Sequence, residues 1–236
     1  MLTKISIKIL RLWEELLNLF YPNLCQACGN YLFKNETAIC SHCLYQIPKT
    51  DFHQQKNNPV SILFFGRVKI EYAASYFTFS KGSKFQKLIH RLKYNRRIDI
   101  GIELGKHFAY NLRKSEFFND IDVIVPVPLH PKKQKMRGYN QSEVIANGMS
   151  KVMKIEVNTH NLYRSVYTES QTNKSKFDRW ENVDNIFKLR NVTEFEGKHV
   201  LLVDDVVTTG STLESCAMAI LGVKDSKVSI ATLTYS

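Results

Sequence analysis

One stretch narrows the folds open to this chain more than any other: Val200 to Thr212, reading Val-Leu-Leu-Val-Asp-Asp-Val-Val-Thr-Thr-Gly-Ser-Thr. A continuous run of branched apolar residues, without polar alternation, predicts a strand buried on both faces, and such strands belong to parallel sheets covered by helices. Two carboxylates then close the strand, and a small, hydroxyl-rich turn opens a helix. Leu213, Cys216, Ala217, Ile220 and Leu221 recur at the spacing of one apolar helix face, which puts the helix start near Ser211. The free N–H groups and positive dipole end of that start suit a dianionic phosphate. The hydroxyls of Thr208, Thr209, Ser211 and Thr212 stand beside it, and Gly210 lets the backbone approach closely. Asp204 and Asp205 repel a phosphate. They suit the vicinal hydroxyls of a ribose, or a magnesium ion held directly or through water. The Gly-x-x-x-x-Gly-Lys-Ser/Thr pattern of an ordinary P-loop is absent from the sequence.

Four of the five cysteines fall in Cys25-Gln26-Ala27-Cys28 and Cys40-Ser41-His42-Cys43. Each Cys-x-x-Cys can put two thiolates on one metal, so the pair of knuckles predicts a closed, tetrahedral structural zinc site. Such a site folds a segment too short to own a core. A redox dithiol is the competing reading, but neither knuckle precedes a thioredoxin-like strand and helix. His42 is expected to face solvent. Cys216, on the apolar face of its helix, is expected to be a buried, unreactive thiol.

With 236 residues the chain has room for one full α/β domain and a small appendage. Its net charge of +11 points to an anionic partner: nucleic acid, acidic lipid or a polyphosphate metabolite. Lys8, Arg11, Glu14 and Glu15 interrupt the apolar N-terminal stretch, which excludes a signal-peptide core and a membrane span of about 20 apolar residues. Ile5, Ile9, Leu12, Leu16, Leu19 and Phe20 instead follow helical spacing. That helix either packs on its own protein or lies on a membrane surface through Lys4, Lys8, Arg11 and Trp13. Without an export signal, the expected compartment is the cytoplasm.

The organisation expected is an amphipathic helix over residues 1–24, a four-cysteine zinc ribbon over 25–48, a polar linker over 49–59 and an α/β domain over 60–236. In the last, strand character at Ile70–Phe79, Ile121–Val127, Val200 and Val228–Thr234 alternates with helices. These are a short one carrying Phe85, Leu88, Ile89 and Leu92, then Ile98–Arg113, Gln141–Met153, and the one after Ser211. Alternation of this kind gives a doubly wound, mostly parallel sheet whose ligands bind at the carboxyl ends of its strands. Two strand ends carry unusual loops. The second reads Pro126-Val127-Pro128-Leu129-His130-Pro131, followed by Lys132, Lys133, Lys135 and Arg137, four cations ahead of the next helix start. Arg137 is the best anion ligand there, because its planar fork binds two phosphate oxygens.

At Val200 to Thr212 the chain resembles the type I phosphoribosyltransferases. The resemblance implies that Asp204 and Asp205 hold ribose hydroxyls and magnesium, and that Thr208, Thr209, Gly210, Ser211 and Thr212 hold the 5′-phosphate of phosphoribosyl pyrophosphate. Some purine-salvage members carry an acid where this chain has Thr208, so no general base is assigned. Cys25, Cys28, Cys40 and Cys43, Leu92-Lys93-Tyr94, Val125 to Pro131 and Arg137-Gly138-Tyr139-Asn140-Gln141 narrow the resemblance to the ComF-type, competence-associated branch, which includes GntX-like members. For the leaving pyrophosphate it implies Pro128, Leu129 and Arg137. Arg164, Thr168, Gln171, Arg179, Asn182 and Phe187 are similar to the hood loop that closes over substrate, with Arg164, Gln171 and Arg179 as its contact residues.

Lys81 to Arg97 is rich in cations and contains no acid. Arg91, Lys93, Tyr94, Arg96 and Arg97 therefore offer either a groove for single-stranded nucleic acid or a solvated helix face. Two functions stay open at this point. One is a transferase moving a phosphoribosyl group to an unknown acceptor. The other is a non-catalytic competence accessory that binds single-stranded DNA, or a helicase-type protein partner, through the zinc ribbon and basic segments.

Overall fold

The computed structural model describes residues 22–80, 82–165 and 186–236. The helix read within residues 1–24 falls largely outside them, as do Gln171 and Arg179 of the hood loop. The chain divides into two compact units, Met1–Ile47 and Pro48–Ser236.

In the first unit the chain folds tightly about its cysteines. Cys25 N donates to Asn30 O, Gln26 N to Ala38 O and Gly29 N to Cys25 O. Helix α1 (Ser41–Tyr45) starts at Cys40, and Cys25, Ala27, Ala38, Ile39, Cys43 and Ile47 are buried.

The second unit holds strands β1 (Ala73–Thr78), β2 (Val123–Pro126), β3 (Leu162–Arg164), β4 (Phe187–Leu189), β5 (His199–Val207) and β6 (Lys227–Tyr235). Four of them form a parallel sheet in the order β1-β6-β5-β2, while β3 and β4 make a separate antiparallel pair. Its helices are α2 (Pro59–Ile62), α3 (Lys84–Tyr94), α4 (Ile98–Leu112), α5 (Pro131–Arg137), α6 (Gln141–Met153) and α7 (Ser211–Leu221). Val200 and Leu202 join Val123, Val125, Val228 and Ile230 in one apolar cluster with Leu213, Cys216, Ala217 and Ile220 of α7. The two-residue period of a strand sends Leu201 and Val203 to the other face, where α4 and α6 pack against the sheet. With helices on both faces, β5 has no polar side to show, which is why its sequence does not alternate. Among the described residues no helix is long and apolar enough to cross a membrane.

Three expectations are corrected. The strand does not end at the carboxylates: β5 runs to Val207, because β6 continues to pair with it, Asp204 opposite Thr232 and Val206 opposite Thr234. The cations after Pro131 do not lie in an open turn. They sit on α5, which Pro131 starts and which ends at Gly138 in the left-handed conformation. Residues 49–59 are not a free linker either. Thr50 N donates to Tyr76 O, Thr78 N to Pro48 O and Asn58 Nδ2 to Ala73 O, so the segment satisfies the unpaired side of the edge strand β1.

Helices α4 and α6 touch backbone to backbone. A Cβ on Gly105 would strike the Ile145 carbonyl, and one on Gly148 the Ile102 carbonyl. Gly148→Ala should therefore lower unfolding stability by roughly 1–3 kcal/mol, the usual cost of overpacking. Gly222→Ala, whose Cβ would meet only carbonyl oxygens at 3.7 Å, should leave the urea midpoint nearly unchanged.

Candidate functional site

The carboxylates within β5, just past its last pairing with β2, find different partners, as successive strand residues must. Asp204 Oδ1 accepts from the Ser142 hydroxyl and from the Asp205 N–H, each at 2.8 Å. Asp205 pairs with the Lys93 ammonium at 3.0 Å. Burial, reinforced by the neighbouring Asp205 charge, pushes the Asp204 carboxyl up to about 7, against the opposing pull of Ser142, the Asp205 N–H and Lys93. This is an acidic pair short of positive charge. Hard carboxylate oxygens in that state suit a divalent cation or sugar hydroxyls.

The loop after β5 makes a small polar concavity of about 60 Å³, lined from Asp204 to Leu213. Thr208, Thr209, Ser211 and Thr212 are exposed, with the Thr209 and Ser211 hydroxyls 3.2 Å apart. Gly210 is in the left-handed region at φ +76°, and a Cβ there would meet the buried Phe64 ring at 3.0 Å. Its role is thus to turn the chain above Phe64 as well as to open the backbone. Arg67 clamps the same loop from outside: it donates to Thr209 O at 2.8 Å and forms an ion pair with Glu214. Neither Phe64 nor Arg67 is distinguishable in the sequence, since no motif marks the segment around α2.

On the β2 side, one short motif sets the second loop. Asn140 Nδ2 donates to Val127 O at 2.9 Å and its Oδ1 caps α6 at Ser142 N. Gln141 Oε1 accepts from Arg137 Nη1 at 2.6 Å, and Ser142 reaches Asp204. The Tyr139 hydroxyl donates to Leu92 O. Arg137 also lies over the Tyr94 ring, 5.2 Å from its centroid, and its buried Nε has no hydrogen-bond partner among the described residues. Pro128 and Leu129 are half-buried at the mouth of this loop, whereas Lys132, Lys133 and Lys135 face solvent.

Lys93 and Tyr94, read as nucleic-acid contacts, are thus engaged by Asp205 and Arg137. Arg97 is held by Asp99 in a two-pronged pair at 3.0 and 2.6 Å, while Arg96 is exposed. Arg164 stacks on Phe187 at 5.6 Å. Cys216 is fully buried, and burial holds its thiol well above the ordinary range. A larger cavity of about 490 Å³, formed by residues 56–71, shares Arg67 with the contacts of the loop after β5 but contains no part of the acidic pair.

In the first unit the sulfurs of Cys25, Cys28, Cys40 and Cys43 lie within 4.8 Å of one another. Cys28 and Cys40 are 3.8 Å apart, close to the roughly 3.8 Å edge of a tetrahedron with 2.3 Å zinc–sulfur bonds. Cys40 N donates to Cys25 Sγ and Cys43 N to Cys40 Sγ, as thiolate ligands require. The four residues could hold one zinc ion, and His42 faces solvent.

Two measurements check this geometry. Metal analysis should return one zinc per chain, lost in Cys43→Ser; a metal-free protein with Cys25 and Cys28 disulfide-bonded would contradict the site. The second concerns Asp204, whose folded carboxyl lies above its unfolded value of about 3.9. Its contribution is therefore favourable below that value and lost as pH rises towards 7. Asp204→Asn keeps an acceptor for Ser142 and discards the charge. The variant should melt above wild type at pH 8, by roughly 2–4 °C per kcal/mol recovered, and lose that advantage at pH 4.

The family described as phosphoribosyl transferase domain matches residues 97–236, more than half of the chain. Competence protein F of Haemophilus influenzae is 34% identical over 148 residues, covering 60% of this chain and 64% of that protein. DNA utilization protein YhgH of Escherichia coli K12 is 33% identical over 137 residues, covering 57% and 60%. The chain thus spans less than two thirds of the length of these curated relatives. Among solved structures, glutamine phosphoribosylpyrophosphate amidotransferase from B. subtilis, complexed with ADP and GMP, is 20% identical. It covers 60% of this chain and 30% of its own, at a TM-score of 0.43. Both loops that converge on the carboxylates fall within the matched residues, and the chain belongs to the phosphoribosyl transferase domain family as a ComF-type member.

Proposed function

We propose that the second unit binds phosphoribosyl pyrophosphate with magnesium and transfers its phosphoribosyl group to an acceptor, releasing pyrophosphate. The observation that carries this reading is the meeting, towards the carboxyl ends of the sheet strands, of an acidic pair, a hydroxyl-lined loop at a helix start and an arginine with a donor to spare. Asp204 and Asp205 hold the ribose hydroxyls. Thr208 to Thr212 hold the 5′-phosphate through hydroxyls and free N–H groups. Arg137, with Pro128 and Leu129 shaping the turn, faces the pyrophosphate. Magnesium, when bound, supplies positive charge to the departing diphosphate. Breaking the bond at C1 of the ribose makes an oxocarbenium-like transition state, and Arg137 stabilises the negative charge that grows on the leaving group. Arg164, Gln171 and Arg179 belong to the segment we assign to excluding water.

The space for an acceptor is a cavity of about 310 Å³ bordered by Phe79, His90, Lys93, Tyr94, Val206 and Thr208, of which Lys93 is the partner of Asp205. The relatives' names, competence and DNA utilization, support a role in DNA uptake or use, which we assign to the cytoplasm, and they also favour a second reading. In it the ligand site is kept without turnover, and the ribbon and basic segments contact single-stranded DNA or a protein. Calorimetry with magnesium and phosphoribosyl pyrophosphate tests the first reading. Wild type should bind and Asp204→Asn/Asp205→Asn should not, while a wild type without binding overturns it. Pyrophosphate release in the presence of candidate acceptors then separates transfer from binding alone.

A further inference from the structure

Lys93 lies ahead of the residues matched by the family, yet its ammonium sits on Asp205, with the two side chains only 22% and 12% exposed. The last turn of α3 delivers it there. Phe85, Leu88, Ile89 and Leu92 bury the helix on the domain, Tyr139 ties Leu92 O, and Tyr94 lies under Arg137. A single helical turn is therefore fixed both to the acidic pair and to the arginine of the second loop. Lys93 already occupies the place on Asp205 that a ligand's hydroxyls or cation would take. A shielded ion pair of this kind opens readily only when both charges gain new partners.

We propose that Lys93 is the internal counter-cation of the ribose carboxylates and makes the site select a ligand that carries a diphosphate. A bare divalent ion must displace the ammonium and offers it nothing in return. A diphosphate-bearing ligand offers an anion to the ammonium while its own hydroxyls and metal take over Asp205, so charge is exchanged rather than stranded. Ribose 5-phosphate, with its anion at the opposite end, cannot make that exchange. The inference rests on the phosphoribosyl pyrophosphate reading of the site.

The test uses the full chain and three probes in calorimetry: manganese alone, magnesium with phosphoribosyl pyrophosphate, and ribose 5-phosphate. Lys93→Met keeps the aliphatic stem and removes the charge; Lys87→Met, on the exposed side of the same helix, is the control. Relative to wild type, Lys93→Met should bind manganese about tenfold more tightly and phosphoribosyl pyrophosphate about tenfold more weakly, the scale of one lost charge pair. Its affinity for ribose 5-phosphate should stay within about threefold. Lys87→Met should match wild type with every probe. A Lys93→Met protein that melts normally and keeps wild-type affinity for both manganese and phosphoribosyl pyrophosphate overturns the proposal, because a merely structural lysine would not gate a metal. Lys93→Arg, which keeps the charge, covers the case in which Lys93→Met does not fold: manganese affinity raised above wild type there overturns the proposal too. A wild type that binds no phosphoribosyl pyrophosphate removes the functional reading, while the manganese comparison still decides the pairing.

Discussion

Two adjacent carboxylates within a buried parallel strand set the terms for everything around them. β5 pairs with β2 only as far as Val203 while β6 continues alongside Asp204, so beyond Val203 the charges of Asp204 and Asp205 are accommodated by their side-chain partners. Asp205 draws in the last turn of α3 through Lys93, and Asp204 draws in the first turn of α6 through Ser142. Those two turns then meet each other through Tyr139, Tyr94 and Arg137. The polar rim of the sheet is thus one connected network. Burial, with the adjacent Asp205 charge, pushes the Asp204 carboxyl up. A site in this condition is less stable empty than filled, and a ligand that brings a cation or hydroxyl donors stabilises the fold by mass action.

The hydroxyl-lined loop after β5 depends on a second and separate support. Its backbone is turned at Gly210 over the Phe64 ring and clamped at Thr209 by Arg67, both from the segment around α2. That segment is itself held to β1 through Asn58 and the residues before it. The loop is therefore braced by the segment around α2, while the acidic pair is braced by α3 and α6. Flexible hydroxyls are presented on a fixed backbone, which lowers the ordering cost when an anion binds.

Much of this was legible in the residues. The unalternating run at Val200 announced a strand covered on both faces, and the spacing of Leu213, Cys216, Ala217 and Ile220 announced α7. The bounds of α6, Gln141–Met153, were read as they stand, and the spacing of the four cysteines announced the metal-ready knuckles. What stayed hidden depended on pairing at a distance. The strand end was misplaced because only β6 determines how far β5 stays paired. Lys93 read as part of a Leu-Lys-Tyr motif and of a basic run, but its pairing stayed hidden, since nothing local names a partner more than a hundred positions away. Arg67 and Phe64 carried no signal for the same reason.

The sequence by itself determined the fold class, the hydroxyl-rich strand-to-helix loop, the acidic pair and the four-cysteine cluster, because each is specified by residues a few positions apart. Local periodicity, capping and ligand spacing are short-range physics. The tertiary structure alone decided which cation neutralises which carboxylate, what fixes the hydroxyl-rich loop and where the second loop meets the first. Those choices depend on desolvation and Coulomb energies between groups that only the folded sheet brings within about 3 Å, where charge pairing outweighs the loss of water.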